Sequence, residues 1–163
     1  LDNQGNLYVM KADGSAAAPV VIPQFTGVVE DPAWSPDGTQ IAFTCSLNNV
    51  RDICVVNADG SGFRRLTNDV ATHWSPAWGP DGSKIAFSTT RFAPGAASVA
   101  VMRADGSNVQ QLAAGQEPAW SRDGSKIVFA GGLLPGLFVI NADGTGILRL
   151  TTNPSDRAPD WRP

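Results

Sequence analysis

The stretch PAWSPDG at residues 32–38 recurs along this chain at a regular spacing. Copies read PAWGPDG at residues 76–82 and PAWSRDG at residues 118–124, and a fourth begins as PDWRP at residues 159–163. The prolines that open the four copies lie 44, 42 and 41 residues apart. Because a four-stranded propeller blade has a period of about 40–45 residues, this spacing predicts four β-strands per repeat.

Each copy of the motif is followed by further repeated segments. An alternating apolar run comes first, IAF at residues 41–43, and then a longer run that ends in Ala-Asp-Gly, ICVVNADG at residues 53–60. The segment FRRLT at residues 63–67 closes the unit. Alternation places Ile41 and Phe43 on one face of a strand, and Pro, Asp and Gly supply the geometry of tight turns. Because no window shows helical spacing, we expect an all-β chain with very little helix.

The segments PAWSPDGTQIAFTC and DICVVNADGSGFRRLT together resemble the TolB-type, WD-like β-propeller repeat. The resemblance covers practically the whole chain and rests on three full copies of a multi-part motif in fixed order. It implies a β-propeller of four-stranded antiparallel blades, with PAWS innermost and IAF, ICVVN and FRRLT following outward. For function it implies less, because relatives with this repeat include proteins that dock a lipoprotein partner, propeller domains of prolyl-oligopeptidase-like hydrolases and some polysaccharide lyases.

The repeats predict three complete blades and one split or partial blade. We interpret residues 1–163 as a single β-propeller domain or propeller segment, with repeats at about 1–31 (partial), 32–75, 76–117, 118–158 and 159–163 (partial).

The split blade is expected to take a third strand from Leu7 to Met10, a fourth from about Val20 to Phe25, and a first strand from Pro159 to Trp161. These strands either close a four-bladed ring or leave a fragment or protomer that needs neighbours. We favour self-association through the chain ends, because unpaired strand edges invite pairing with another chain.

Charge and hydropathy exclude several kinds of partner. The net charge is −3 and no run of lysines or arginines is present, so a nucleic-acid partner is not expected. The longest apolar stretches fall far short of the ~20 residues of a membrane-spanning helix, so no membrane span is expected. No basic segment followed by an apolar one marks a signal peptide.

No constellation of residues predicts catalysis. The single histidine, His73, is expected to be an exposed loop residue, because no Gly-x-Ser-x-Gly elbow accompanies it. One histidine also cannot supply the several ligands of a zinc or manganese site. Aspartates such as Asp37 and Asp59 stand one to a turn, whereas Ca²⁺ needs roughly six to eight converging oxygens, so they are expected to shape turns. We therefore expect no enzyme, no cofactor and no metal.

The tryptophans fall into two classes. Four share one slot of the motif and are expected to pack between adjacent blades: Trp34, Trp78, Trp120 and Trp161. Trp74 lies outside this slot, two residues before Pro76, and joins polar residues that are expected to rim the central channel. The loops between second and third strands, and between blades, vary in sequence and are expected on one face, where Leu133 and Leu134 add apolar groups. The predicted binding residues are Glu30, Asp31, Trp74, Arg91, Phe92, Glu117 and Arg157.

Cys45 and Cys54 fall on the second and third strands of one blade. A hairpin centred between Asn49 and Val50 would place the two sulfurs opposite each other and allow a disulfide, whereas buried free thiols fit the pattern equally well. A disulfide would favour an extracytoplasmic location, periplasmic or secreted.

The sequence as a whole favours a non-enzymatic scaffold that binds a protein or peptide, or a glycan, through its variable loops. The alternative is the propeller portion of a larger prolyl-oligopeptidase-like hydrolase or polysaccharide lyase. A scaffold requires only a propeller and a varied face, and the sequence supplies both.

Overall fold

The computed structural model describes Leu1, residues 6–47 and residues 50–161, and it confirms the predicted all-β class. The described residues contain no helix long and apolar enough to cross a membrane. Their strands are β1 (Tyr8–Val9), β2 (Ala18–Pro19), β3 (Val28–Trp34), β4 (Gln40–Leu47), β5 (Val50–Asn57), β6 (Arg64–Arg65), β7 (His73–Trp78), β8 (Lys84–Thr89), β9 (Ser98–Arg103), β10 (Gln110–Trp120), β11 (Lys126–Gly131), β12 (Leu137–Asn141) and β13 (Leu148–Arg149).

The strands form three four-stranded antiparallel blades in the predicted order. Blade A is β3-β4-β5-β6, blade B is β7-β8-β9 with the first half of β10, and blade C is the second half of β10 with β11-β12-β13. In blades A and C the Pro-Ala-Trp segment lies on the strand at one edge of the blade, and the short fourth strand lies at the other. The predicted succession of strands within a repeat is thereby confirmed.

Blades B and C share one continuous strand. Gln110 to Ala114 pair with β9, whereas Gly115 to Trp120 pair with β11. The predicted repeat boundary between residues 117 and 118 therefore falls inside β10, because the chain passes from one blade to the next without leaving the extended conformation.

The N-terminal strand pair, β1 and β2, forms a half-blade, and its second strand differs from the prediction. The fourth strand expected at about Val20 to Phe25 lies instead at Ala18–Pro19. The Val20 amide donates to the Leu7 carbonyl at 2.8 Å, and the chain then turns, with the Phe25 amide bonded to the Ile22 carbonyl at 3.2 Å. The later apolar residues consequently pack as a turn over blade A rather than as a strand.

The core consists of three apolar layers, one between each pair of neighbouring blades. Phe43 belongs to the layer between the half-blade and blade A, whereas its neighbour Ala42 faces Phe87 of blade B in the next layer. Ala86 in turn belongs to the layer that holds Phe129 of blade C. This alternation of large and small side chains confirms the face pattern of the IAF segment. Each fully buried phenylalanine contributes about 1.5–3 kcal/mol to folding.

The Asp-Gly turns follow the predicted chemistry. Gly38 has a φ of 69°, a conformation that glycine adopts without steric cost. Asp37 Oδ1 accepts hydrogen bonds from the Ser35 hydroxyl at 2.6 Å and from the Thr39 amide at 3.0 Å. The same contacts from Ser121 and Ser125 lower the pKa of Asp123 to about 2. These aspartates are therefore engaged as acceptors within their own turns.

The two cysteines form a disulfide within blade A. The register of β4 and β5 pairs Phe43 with Cys54 and Cys45 with Asp52, so the half-cystines are diagonal neighbours rather than directly opposite, with Cα atoms 5.8 Å apart. The hairpin centre expected between Asn49 and Val50 involves a residue outside the described ones, and the last described pair of the ladder joins Leu47 to Val50. The predicted alternative of free thiols is wrong.

Three of the four motif tryptophans contact the preceding blade as predicted. Trp120 donates its indole N–H to the Ala77 carbonyl at 3.1 Å, and Trp161 does the same to the Ala119 carbonyl at 3.1 Å. Trp78 packs against the layer between blades A and B. Trp34 is 47% exposed, because the described residues of the half-blade before it form only β1 and β2 and provide no inner strand against which the ring could pack.

Candidate functional site

The variable loops meet on one side of the molecule, which we call the loop face. It comprises the loops that join second to third strands, at residues 90–97 and 132–136, the loop at residues 66–72 that enters blade B, and the middle of β10, where the chain passes into blade C. Hydrogen bonds connect these segments: the Thr90 amide donates to the Thr72 carbonyl and the Gly115 amide of β10 donates to the Ala97 carbonyl, each at 3.0 Å. The Pro-Asp-Gly and Ala-Asp-Gly turns occupy the opposite ends of the strands, which form the turn face.

A residue with a strained backbone stands directly before each motif proline, on the inner strands of the three blades and in the C-terminal segment. Asp31, Ser75, Glu117 and Ala158 have φ values of 48°, 49°, 57° and 45°. Non-glycine residues rarely adopt this left-handed conformation, and a following proline favours an extended one. The pairing register shifts at the same point in all three inner strands, so each of them bulges there.

Hydrogen bonds between blades hold these bulges in place. The Ser75 amide donates to Thr44 Oγ1 at 3.1 Å and to Asp31 Oδ2 at 3.2 Å. The Glu117 amide donates to Ser88 Oγ at 2.9 Å, and Glu117 Oε2 accepts from the backbone amide of Ala158 at 2.7 Å. The carboxylates of Asp31 and Glu117 therefore connect successive blades along the rim.

Glu30 lies beside this rim and is bound by an arginine. Arg51 contacts both of its carboxylate oxygens, each at 3.1 Å, while 48% of the arginine side chain and 38% of the glutamate side chain stay exposed. Exposed pairs of this kind contribute about 0–1 kcal/mol to stability, so they orient side chains more than they stabilise the fold.

His73 is buried, and the expectation of an exposed loop histidine is wrong. It lies on β7 with its ring fully enclosed, 5.8 Å from the centroid of Phe87. Its Nε2 contacts Asp69 Oδ1 at 2.9 Å, and Asp69 Oδ2 lies 3.4 Å from Arg91 Nε. Burial raises the pKa of Asp69, but the Ala71 amide together with His73 and Arg91 outweighs it and brings the pKa below its ordinary value.

The predicted aromatic and cationic residues lie near this cluster. Trp74 follows His73 on β7, is partly buried and pairs with Ser88. The loop after β8 exposes 45% of the Arg91 side chain and 38% of Phe92. The loop after β11 exposes Leu133 and Leu134, at 90% and 59%. The loop face thus combines an exposed charge with apolar groups, as protein-binding surfaces do.

The structure also forms a groove that the sequence had not indicated. Its volume is about 380 Å³, and it lies between the loop at residues 93–97 and the loop around Gly132. Small side chains make most of its walls, and Gln116 and Arg157 border it. The available signal was the Ala- and Gly-rich sequence APGAAS at residues 93–98, which leaves room where larger side chains would fill the space.

The arrangement offers little of what catalysis requires. His73 has no hydrogen bond to a hydroxyl group among the described residues, so it does not activate a serine there. Within the same residues, no group of three or more His, Cys, Asp or Glu side chains is positioned to hold a metal ion.

Comparisons with known proteins agree on the fold. The family model of the TolB beta propeller domain matches residues 2–163. A 38-residue segment is 60% identical to the Tol-Pal system protein TolB of Anaeromyxobacter dehalogenans, which corresponds to 23% of this chain and 9% of that protein.

Solved structures extend the likeness over most of the chain. A protein assigned as TolB from Agrobacterium tumefaciens is 23% identical over 88% of this chain and 55% of its own, with a TM-score of 0.76. TolB from Acinetobacter baumannii is 20% identical over 90% of this chain and 37% of its own, with a TM-score of 0.74. An oligogalacturonate lyase in complex with manganese is 19% identical over 90% of this chain and 42% of its own, with a TM-score of 0.69. The chain thus spans little more than half of the first of these structures and less than half of the others.

Proposed function

Because this chain belongs to the TolB β-propeller domain family, we propose that it is a non-enzymatic scaffold that binds a protein or peptide partner through its loop face. The observation that carries the proposal is the contrast between the two faces. On the turn face the blades repeat one Asp-Gly geometry whose carboxylates are already occupied by their own turns. On the loop face the blades differ, and they expose Phe92, Leu133 and Leu134 among polar groups.

The residues proposed to contact the partner are those of the rim and of the loop after β8. Trp74 and Phe92 supply apolar area, and Arg91 supplies a cation that Asp69 orients. Aromatic and arginine side chains contribute a large share of the energy at protein interfaces. Asp31 and Glu117 contribute mainly by fixing the rim, because each already bridges two blades.

Two other classes of partner belong to the proposal. A glycan is the second ligand class, because a partly exposed aromatic such as Trp74 among polar groups suits sugar stacking. Self-association through the chain ends is the third ligand class. The Trp34 ring is half-exposed, whereas between the other blades an inner strand contacts the corresponding ring, so an inner strand from another molecule could pack there.

An extracytoplasmic location accompanies the scaffold proposal. It is supported by the Cys45–Cys54 disulfide, because such bonds form and persist mainly in oxidising compartments.

The competing function is the propeller portion of a larger hydrolase or lyase. The likeness to an oligogalacturonate lyase shows a shared fold, and folds of this kind host unrelated functions. The scaffold is favoured because the only histidine is enclosed against Phe87 and bound to Asp69.

A peptide display experiment tests the scaffold proposal. A random peptide library is panned against the immobilised chain, and selected peptides are measured against the variants Arg91→Glu and Phe92→Ser. The expected result is at least a tenfold loss of affinity in both variants. The matched control, Arg122→Glu, changes an exposed arginine of a turn on the opposite face and should leave affinity within twofold. Equal losses in all three variants would contradict the assignment of faces.

A further inference from the structure

The arginines of the loop face differ in whether their guanidinium groups have partners within the protein. Arg51 is held by Glu30, Arg65 by the buried Asp52, and Arg91 by Asp69. A further arginine, Arg149, donates to the carbonyls of Pro135 and Thr151 and lies over the Phe138 ring. These arginines have their guanidinium groups committed to the fold.

Arg157 differs from the other arginines of this face. It is exposed, and its one hydrogen bond within the described residues runs from Nη1 to the backbone carbonyl of its neighbour Asp156 at 2.9 Å. No carboxylate of the described residues lies within ion-pairing distance of it. The nearby Glu117 carboxylate is directed to the Ala158 amide instead. A guanidinium carries five N–H donors, so most of those on Arg157 are free for a ligand.

Arg157 borders the groove of about 380 Å³ described above. Ala93, Ala96 and Ala97 line one wall, and Gly131 and Gly132 line the other. Because these side chains are small, the groove can receive a side chain from outside. Its volume lies at the lower end of the roughly 300–1,000 Å³ found for small-ligand sites.

The polar side chains that line the groove differ in whether they have a partner within the protein. Gln111 donates to Ser98 Oγ at 3.0 Å and is thereby committed, whereas no hydrogen bond of the Gln116 side-chain amide is formed within the described residues. Gln116 lies on the inner strand directly before the rim residue Glu117. An open amide and an open guanidinium therefore border a groove whose other lining residues are small or apolar, apart from the mutually bonded Ser98 and Gln111.

We propose that this groove binds a peptide segment in which an aliphatic side chain adjoins a carboxylate. The aliphatic group enters between the Ala- and Gly-rich walls, and the carboxylate pairs with Arg157, with Gln116 as a second donor. A planar guanidinium recognises a carboxylate through two parallel hydrogen bonds, which fixes the orientation of the segment as well as its charge. The exposed Leu133 beside the groove extends the apolar contact along the peptide. The inference rests on the proposed function and names its partner's chemistry.

Chemical-shift mapping with two short peptides tests this inference. The uniformly ¹⁵N-labelled chain is titrated with acetyl-Gly-Leu-Glu-Gly-amide and with the isosteric acetyl-Gly-Leu-Gln-Gly-amide. We expect the acidic peptide to shift the amides of Gly95, Ala97 and Gly132 in a saturable way and at least fivefold more tightly than the neutral one. The Arg157→Gln variant should reduce binding of the acidic peptide to the level of the neutral peptide. The matched control Arg103→Gln, an exposed arginine at the turn end of β9, should have no effect.

The outcomes separate this inference from the proposed function. Equal affinity for the two peptides, or acidic binding unchanged by Arg157→Gln, overturns the inference. Shifts around Trp74 and Phe92 in place of the groove also overturn it, while leaving the loop face as the binding surface. Shifts confined to the turn face would overturn both.

Discussion

Replacement of Trp120 by alanine should cost about 3 kcal/mol of folding free energy. Full removal of a buried tryptophan ring costs about 3–5 kcal/mol, and the lower value applies because the ring is partly exposed. That figure includes about 1 kcal/mol for the hydrogen bond from its indole N–H to the Ala77 carbonyl. The remainder comes from contact with the apolar layer between blades B and C.

Two further variants divide this energy into its parts. Trp120→Phe keeps an aromatic ring and loses the donor, so it should cost about 1–1.5 kcal/mol. Trp34→Ala removes the same residue type from a slot where the ring is 47% exposed, and it should cost under about 1 kcal/mol.

Urea unfolding followed by far-UV circular dichroism measures all three values, because this signal does not depend on the tryptophan removed. The slope of free energy against urea should stay constant across the variants, so that midpoint shifts report stability. Equal losses at Trp34 and Trp120, or a loss under about 1 kcal/mol at Trp120, would refute the role assigned to the tryptophan slot.

Three other predictions concern the turns, the disulfide and the half-blade. The pKa of Asp123 is lowered to about 2, so its contribution to stability is complete above the unfolded pKa of ~3.9 and is lost as pH falls toward 2. In this pH window, the stability of Asp123→Asn should therefore depend less on pH than that of the parent chain. The double variant Cys45→Ala/Cys54→Ala should be less stable by about 2.5 kcal/mol, as loop-closure entropy gives for a sequence separation of 9, and an unchanged urea midpoint would contradict this. Gly60→Ala should destabilise the chain more than Gly14→Ala, although both residues have positive φ. A Cβ at Gly60 meets the Val21 carbonyl oxygen, whereas one at Gly14 meets nothing within 4 Å. Thermal midpoints in the reverse order would show that the half-blade does not pack against the turn at Gly60.

The repeat made most of the fold predictable from sequence. Alternation in IAF and the Asp-Gly turns specify strands and hairpins locally, and their fixed period specifies how the blades stack. The fourth strand of the half-blade was misplaced because that segment, AAAPVVIPQF, has no repeat-like spacing. Its pairing depends on the tertiary contact between Val20 and Leu7, which no local pattern encodes.

The candidate site was less predictable than the fold. The variable loops predicted which segments carry the candidate site, but not which of their charged groups have partners within the protein. Asp31 and Glu117 resemble free rim carboxylates in the sequence, yet each accepts an amide from the next blade. His73 appears as a polar loop residue, yet it is enclosed against Phe87. The partners of Asp31 and Glu117 lie 29 to 44 residues away along the chain, beyond the reach of a single motif.

Amide hydrogen exchange with a bound peptide tests whether the loop face is the binding surface. A peptide selected from the display library is added at saturation, and exchange is compared with that of the free chain. Slower exchange is expected in the segments 90–98, 113–117 and 131–136, and unchanged exchange in the turns around Asp37, Asp81 and Asp123. Protection of those turns, with the loop segments unaffected, would contradict this expectation.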